Sequence, residues 1–321
     1  MLKTDIFKVK KLMNIKKILL FGSTGMVGSN IIENIKFKDY NFACPRRDEV
    51  DLRNPESIAN YISVFRPDLI INVAGMVGGI MKNSKNNYEF LLNNTLINLN
   101  LINQSYKLGV SNFLNVSSSC IYPKDFTSQI SEDSILTGPL EPTNEGYAIS
   151  KILSLKMCNY LFSDTNLNFK TLIPTNLYGP LDNFDPDSSH MIPGVIKRIH
   201  DSKLSNNNSI EIWGDGKARR EFMYVEDFAD FIYFSIENFE SIPSILNVGL
   251  GEDYSINEYY EIIANTIGFD GKFTFDLTKP VGMKRKLLDI SNLRELGWKN
   301  TTSLKEGIEK TYNYFLENYD N

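Results

Sequence analysis

The sequence predicts an α/β fold, a doubly wound parallel sheet with helices on both faces, carrying a smaller α/β lobe. Two observations predict it. As far as Pro174, short apolar runs alternate with longer amphipathic stretches, the rhythm of strand–helix–strand units. Beyond Pro174 the spacing turns irregular, and loops rich in Asn, Asp, Gly and Pro separate short elements. The 321 residues suffice for one large domain and a small one.

Each element has a local reason. Lys17-Ile18-Leu19-Leu20-Phe21 reads as a buried strand ended by glycine, followed by a helix from about Met26 to Phe37. Asn41-Phe42-Ala43-Cys44 is a second strand. Pro55 to Phe65 is helical, with Asn54 as N-cap and Pro55 at the first helical position. Asp68 to Val73 is a third strand. A long helix follows from about Asn86 to Leu108, and Gly109 suits its C-terminal cap. Phe113 to Val116 is a fourth strand, about Tyr147 to Phe162 another long helix, and Phe169 to Ile173 a fifth strand. Ile245 to Val248 is expected to return to the main sheet. Residues 1–14 are then an N-terminal extension, with Met13 as an alternative start. Residues 15–175 plus about 221–250 form the main domain, and about 176–220 plus 251–321 the smaller lobe.

Composition removes several classes of function. A net charge of −5 and 42% hydrophobic residues are ordinary for a soluble globular protein. No basic block is dense enough for nucleic acid or an anionic membrane. Lys8, Lys10, Lys11, Lys16 and Lys17 form a short cluster interrupted by apolar residues, which reads as a solvated tail. No run of roughly 18 apolar residues appears, so no membrane span is expected. The first residues lack the apolar core and cleavage site of a secretory signal. Cys44, Cys120 and Cys158 are too few and too scattered for a disulfide framework or a metal site, so a reducing cytoplasm is expected.

The loop after the first strand is Gly22-Ser23-Thr24-Gly25-Met26-Val27-Gly28. Glycines alone say little, but a strand before and a helix after make this a Rossmann-type dinucleotide loop. Backbone N–H groups and the positive helix end would face a pyrophosphate there. At the end of the second strand, where an NAD enzyme usually carries an acid for the ribose hydroxyls, the chain has Pro45-Arg46-Arg47. Two guanidinium groups suit a 2′-phosphate, so NADP(H) is the expected cofactor. Asp51 and Leu52 follow, either near the adenine or simply leading into the next helix.

Tyr147 and Lys151 stand four apart on one helix face, where an ammonium beside a phenol would favour the phenolate. Ser117-Ser118-Ser119-Cys120 ends the fourth strand, where ligands of parallel sheets sit. If the extended backbone persists, Ser118 and Cys120 point to the same side. Cys120 is otherwise a small buried apolar residue. The two histidines are His190, in a polar segment before an apolar helix, and His200. A lone histidine is more often structural, and His190 is the one positioned to face a ligand.

Together these motifs resemble the GDP-L-fucose synthase family (GDP-4-keto-6-deoxy-mannose 3,5-epimerase-4-reductase) of the extended short-chain dehydrogenases. The resemblance runs from about Asn14 to the C-terminus. It is carried by the glycine loop, Val77-Gly78-Gly79-Ile80, Ser118-Ser119-Cys120-Ile121-Tyr122-Pro123, Leu140-Glu141-Pro142-Thr143-Asn144-Glu145 and Pro174-Thr175-Asn176-Leu177-Tyr178-Gly179-Pro180. Asp182-Asn183-Phe184, Arg220-Glu221-Phe222 and Arg285-Lys286-Leu287-Leu288-Asp289 complete it. The resemblance implies reduction by Ser118, Tyr147 and Lys151, with Cys120 as the base that removes ring protons and His190 as the acid that returns them. It implies Arg47 at the 2′-phosphate and Asn176, Arg198, Trp213 and Arg220 around a GDP-4-keto-6-deoxy sugar, hexose or heptose. It also implies a homodimer built on the two long helices. The chain departs from the family at Thr24 and Met76, where arginine and lysine are common, at Gly146, where proline is common before the tyrosine, and over Met81 to Phe90. A pure 4-reductase without epimerase activity is the alternative. A 4,6-dehydratase would need an Asp-Glu pair where Ser119 and Cys120 stand, and a non-catalytic NADP-binding regulator would usually have lost Tyr147 or Lys151.

Overall fold

A computed structural model describes residues 15–319 except 127, 166, 186, 187 and 280. The expected extension 1–14 lies outside the described residues.

The first half of the chain alternates strand and helix. In order come β1 (Lys17–Phe21), α1 (Met26–Glu33), β2 (Asn41–Ala43), α2 (Pro55–Phe65), β3 (Leu69–Asn72), α3 (Ile80–Lys85), α4 (Asn87–Lys107), β4 (Asn112–Val116), α5 (Glu145–Asp164) and β5 (Asn168–Pro174). Then follow β6 (Asn176–Tyr178), α6 (Met191–Leu204), β7 (Ser209–Trp213), β8 (Arg219–Arg220), β9 (Phe222–Tyr224), α7 (Val225–Glu237) and β10 (Ile245–Val248). The chain closes with β11 (Tyr254–Ser255), α8 (Ile256–Ile267), β12 (Lys272–Asp276), β13 (Arg285–Lys286), α9 (Ser291–Glu295) and α10 (Leu304–Tyr319).

Six strands form the main sheet in the order β10-β5-β4-β3-β1-β2, all paired in parallel. Successive side chains of a strand go to opposite faces, and both faces are covered. Ile18 and Leu20 join Leu114, Leu172, Phe228 and Ile232 on one side, whereas Leu19 and Phe21 join Ile58, Leu101, Phe113 and Cys158 on the other. Burial of each such side chain contributes about 1.5–3 kcal/mol. A third core holds Tyr178, Ile196, Ile199, Ile212, Ile263 and Phe315 from the later elements. Met283, Leu288, Ile290 and Trp298, although late in the chain, pack with the first cluster.

Caps set several boundaries. Asn54 accepts from the N–H groups of Glu56 and Ser57, and Pro55 occupies the first turn of α2. Gly109 takes φ +70° just past α4. The helix expected to reach Phe37 stops at Glu33, because Asn34 turns extended and accepts from the Lys36 N–H, opening a 3-10 turn. The helix expected from Tyr147 starts two residues earlier, at Glu145, behind a 3-10 turn over Pro142–Asn144.

The sheet interior holds a polar ladder. Asn72 donates to Asn98 at 2.9 Å and to Asn115 at 3.2 Å, and Asn115 donates to Ser154 and Thr171. These bonds cross β3, β4, α4, α5 and β5 just below the strand ends that carry the site. No helix among the described residues is long and apolar enough to cross a membrane.

Candidate active site

The site lies at the carboxyl ends of β1, β3 and β4, where the strand order reverses between β1 and β3. Gly22 leaves β1 with φ +91°, and a Cβ there would stand 2.6 Å from the Ala74 nitrogen, beyond β3. A Cβ on Gly28 would lie 2.2 Å from the Gly22 carbonyl oxygen, so only glycine lets α1 fold back onto the loop. Gly25 caps α1 with no side chain, and Thr24 and Gly25 are exposed, while Met26 and Val27 are half-buried at the start of α1. This backbone cradle leaves room for an anion at the helix end.

Arg46 and Arg47 are exposed beyond β2. The Arg46 side chain lies 3.9 Å from Asp48, and Arg47 makes no ion pair among the described residues. Asp51 is engaged elsewhere: Arg53 donates to its carboxylate from Nε and from a terminal nitrogen, and these bonds hold it below the usual carboxylate range. Leu52 packs partly against the core beneath α2, and its carbonyl accepts from Asn100.

The strand end after Val116 turns instead of continuing. Ser119–Ile121 form a 3-10 turn capped by Ser118, whose hydroxyl oxygen accepts from the Cys120 N–H at 3.3 Å. The expected extended geometry from Ser118 to Cys120 is therefore not kept. A two-residue hydrogen-bonded turn replaces the pleat. Tyr147 is half-buried, with its ring edge-on to Phe90. Burial pushes its phenol well above the usual range, the neighbouring Cys120 adds to the rise, and a hydrogen bond with Ser118 opposes it. This reverses the sequence expectation of a lowered phenol, because desolvation of the charged form outweighs the other influences. Lys151 is 3% exposed, its Nζ donates to the Val116 carbonyl at 2.9 Å and lies 5.8 Å from the centre of the Tyr147 ring. Burial brings its pKa down to about 8.

Cys120 is half-buried among donors. Asn144 Nδ2 stands 3.2 Å from its sulfur and Lys286 Nζ 3.9 Å. Arg220 is close enough for the thiol's charge to bear on it, with Glu141 beside it, while burial pulls its own pKa down. Arg220 donates to the carbonyls of Arg219 and Val281. His190 caps the start of α6, with Nδ1 3.8 Å from the buried Asp182 carboxylate. That loop reaches the same region, because the Gly79 N–H donates to the Ser188 carbonyl and α3 packs on the Pro142–Asn144 turn. Of the expected segment Asp187 to His190, Asp187 lies outside the described residues. His200 is buried against Tyr312, 3.0 Å from its hydroxyl.

The remaining expected residues sit further out. Asn176 begins β6 and donates to the Glu221 carbonyl. Arg198 stacks on Tyr260 and donates to the Glu211 carbonyl, two residues from Trp213 on the exposed face of β7. Trp213 carries Lys279 over its ring. Asn144 and Lys286 lie within the family motifs, but nothing in their spacing points them at Cys120. Asp182 likewise lies in a motif whose spacing does not point it at His190.

Residues 18–249 match the NAD dependent epimerase/dehydratase family. A GDP-L-colitose synthase of Yersinia pseudotuberculosis is 50% identical, covering 95% of this chain and 99% of its own. A GDP-L-fucose synthase of Azorhizobium caulinodans is 45% identical over 94% of this chain and 96% of its own. The chain belongs to the GDP-L-fucose synthase family. It is an enzyme, with the short-chain dehydrogenase form of the α/β fold. A solved GDP-mannoheptose C4 reductase from Campylobacter jejuni, with NADP bound, is 29% identical at a TM-score of 0.84, covering 94% of this chain and 98% of its own.

One departure from the family's usual pattern has a physical cause here. Gly146 packs so tightly on α4 that a Cβ would stand 2.2 Å from the Asn87 carbonyl oxygen, and its N–H donates to Asn87 Oδ1 at 3.0 Å. Proline would lose that bond and collide.

Proposed function

We propose that this enzyme reduces the C4 ketone of a GDP-4-keto-6-deoxy sugar with NADPH and inverts C3 and C5 in the same pocket. The observation that carries the reading is the convergence of Ser118, Cys120, Tyr147, Lys151 and Arg220 at the end of β4. The relatives named for fucose and colitose support a hexose, and the solved heptose reductase keeps a heptose in the panel to be tested.

The residues fit an NADP cofactor. The cradle of Gly22, Thr24, Gly25, Met26, Val27 and Gly28 would hold the pyrophosphate, Arg46 and Arg47 the 2′-phosphate, Asp51 and Leu52 the adenine side, and Lys151 the nicotinamide ribose. Bound NADPH supplies the hydride. The chain's own groups handle the protons. Cys120, as thiolate, takes a proton from the carbon beside the ketone. The C–H electron pair moves onto the ketone oxygen, where Tyr147 and Ser118 donate hydrogen bonds to the enolate. His190, oriented by Asp182, returns a proton to the opposite face. In reduction Tyr147 gives its proton to the C4 oxygen. A phenol kept neutral by burial suits that acid role. Asn176, Arg198, Trp213 and Arg220 would hold the nucleotide end of the substrate.

The test is solvent deuterium uptake at C3 and C5, with NADPH oxidation followed in parallel. Uptake lost in Cys120→Ser, with hydride transfer to an already inverted substrate retained, supports the reading. Uptake unchanged in that variant removes Cys120 as base. Tyr147→Phe is expected to slow NADPH oxidation by roughly two orders of magnitude or more. A second reading, a C4 reductase without inversion, is favoured by the solved heptose C4 reductase and predicts no exchange in the unaltered enzyme.

Three further assignments belong to this proposal. The cofactor domain is 15–175 plus about 221–250, and the substrate lobe about 176–220 plus 251–321; the third core around Tyr178 and Ile263 supports the lobe, although Met283, Leu288, Ile290 and Trp298 pack with the first cluster. The protein works as a homodimer through α4 and α5, which pack side by side and expose Leu92, Leu99, Tyr106, Ile149, Leu153 and Tyr160. A cytoplasmic location suits its three free cysteines.

A further inference from the structure

Lys286 is buried, at 7% exposure, yet makes no ion pair among the described residues. Its neighbour Arg285 is committed to Asp253, whereas the Lys286 ammonium points the other way, 3.9 Å from the Cys120 sulfur. Strand register explains the placement. β13 pairs in parallel with β8, Lys286 opposite Arg220, so two cations occupy the same side of adjacent strands. Like charges in directly opposed positions repel. A buried ammonium without an acid partner is costly unless something negative faces it. Glu141 lies by Arg220, and the group facing Lys286 is the thiol.

We infer that Lys286 is a positioning residue for the base: its ammonium, with the Asn144 amide, holds Cys120 as the thiolate. The inference rests on the epimerase reading only for its consequence, since alkylation reads the sulfur without any substrate. The groups facing the sulfur are Lys286 from β13, Arg220 from β8, Asn144 from the turn before α5 and Tyr147 from α5, while Ser118 accepts from the Cys120 N–H. Tyr147 and Ser118 are neutral and Arg220 is shared with Glu141, which leaves Lys286 as the cation committed to the thiol. The proton that leaves Cys120 goes to solvent. The sulfur then has a free electron pair for the C–H proton of the substrate, forming S–H as the C–H bond breaks.

The experiment is the rate of iodoacetamide alkylation at Cys120 as a function of pH, read by mass spectrometry of that peptide so that Cys44 and Cys158 do not interfere. Lys286→Met is expected to move the midpoint up by about one pH unit, roughly a tenfold slower reaction at neutral pH, and Lys286→Arg to restore most of it. Deuterium exchange should fall in parallel, with KM for the GDP sugar little changed. An unchanged alkylation profile in a Lys286→Met protein with native circular dichroism overturns the inference, as does a rise in KM alone, which would make Lys286 a diphosphate ligand. If Lys286→Met shifts alkylation while the unaltered enzyme shows no exchange, Lys286 is upheld and the epimerase reading fails.

Discussion

At the scale of single residues, burial sets the chemistry more than charge pairing does. Lys151 and Tyr147 share a helix face, as their spacing of four requires, but the lysine's hydrogen bond goes to the Val116 carbonyl. With a pKa of about 8 against an ordinary value near 10.4, Lys151 sheds its proton in the folded protein while the unfolded chain keeps one. The unfolded state therefore binds more protons between those values, and stability rises with pH across that window. At neutral pH the lysine is charged at a cost to the fold. Lys151→Met should thus be more stable at pH 7 by the order of 1–2 kcal/mol, discounted for the lost bond to Val116, while NADPH oxidation collapses. Urea unfolding and an absorbance assay on one preparation check both halves. A variant that is both less stable at pH 7 and still active would contradict the account.

At the scale of elements, two short 3-10 turns do what the long helices cannot. Ser119–Ile121 bends the end of β4 so that the Cys120 sulfur meets the Asn144 amide carried by the second turn, Pro142–Asn144. The long helices then fix where those turns sit, and Gly146 lets α5 pack directly on the Asn87 backbone at the start of α4. Gly146→Ala forces a methyl against the Asn87 carbonyl. The helices must part by a fraction of an ångström or more, at about 1–3 kcal/mol. The expected result is a lower Tm together with a drop in kcat, because Tyr147 is the next residue. A Tm equal to that of the unaltered protein would show that α4 yields freely.

At the scale of the whole molecule, α4 and α5 carry an apolar stripe spaced at about two helical turns on Leu92, Leu99 and Tyr106, with Ile149, Leu153 and Tyr160 beside it. Exposed apolar area of this kind marks an interface. On the proposed dimer, the unaltered protein should run as a dimer in light scattering and the double variant Leu99→Glu, Leu153→Glu as a monomer. A dimer that survives the two charges would place the interface elsewhere.

Much of this architecture is written in local pattern. The parallel strands, the Asn54 cap, the Gly109 stop and the glycine cradle each depend on residues within a few positions of one another. The GDP-sugar chemistry was legible because the family's motifs are long. What distant segments do to each other was not legible. The raised Tyr147 phenol, the Asp182–His190 pair and the approach of Lys286 to Cys120 across 166 positions of sequence come from packing, whereas the break of α1 at Asn34 and the turn at Cys120 follow from side chains that cap the backbone two residues on. The reason is physical: hydrophobic period and capping act along the chain, whereas desolvation and through-space charge depend on which surfaces the folded chain closes together.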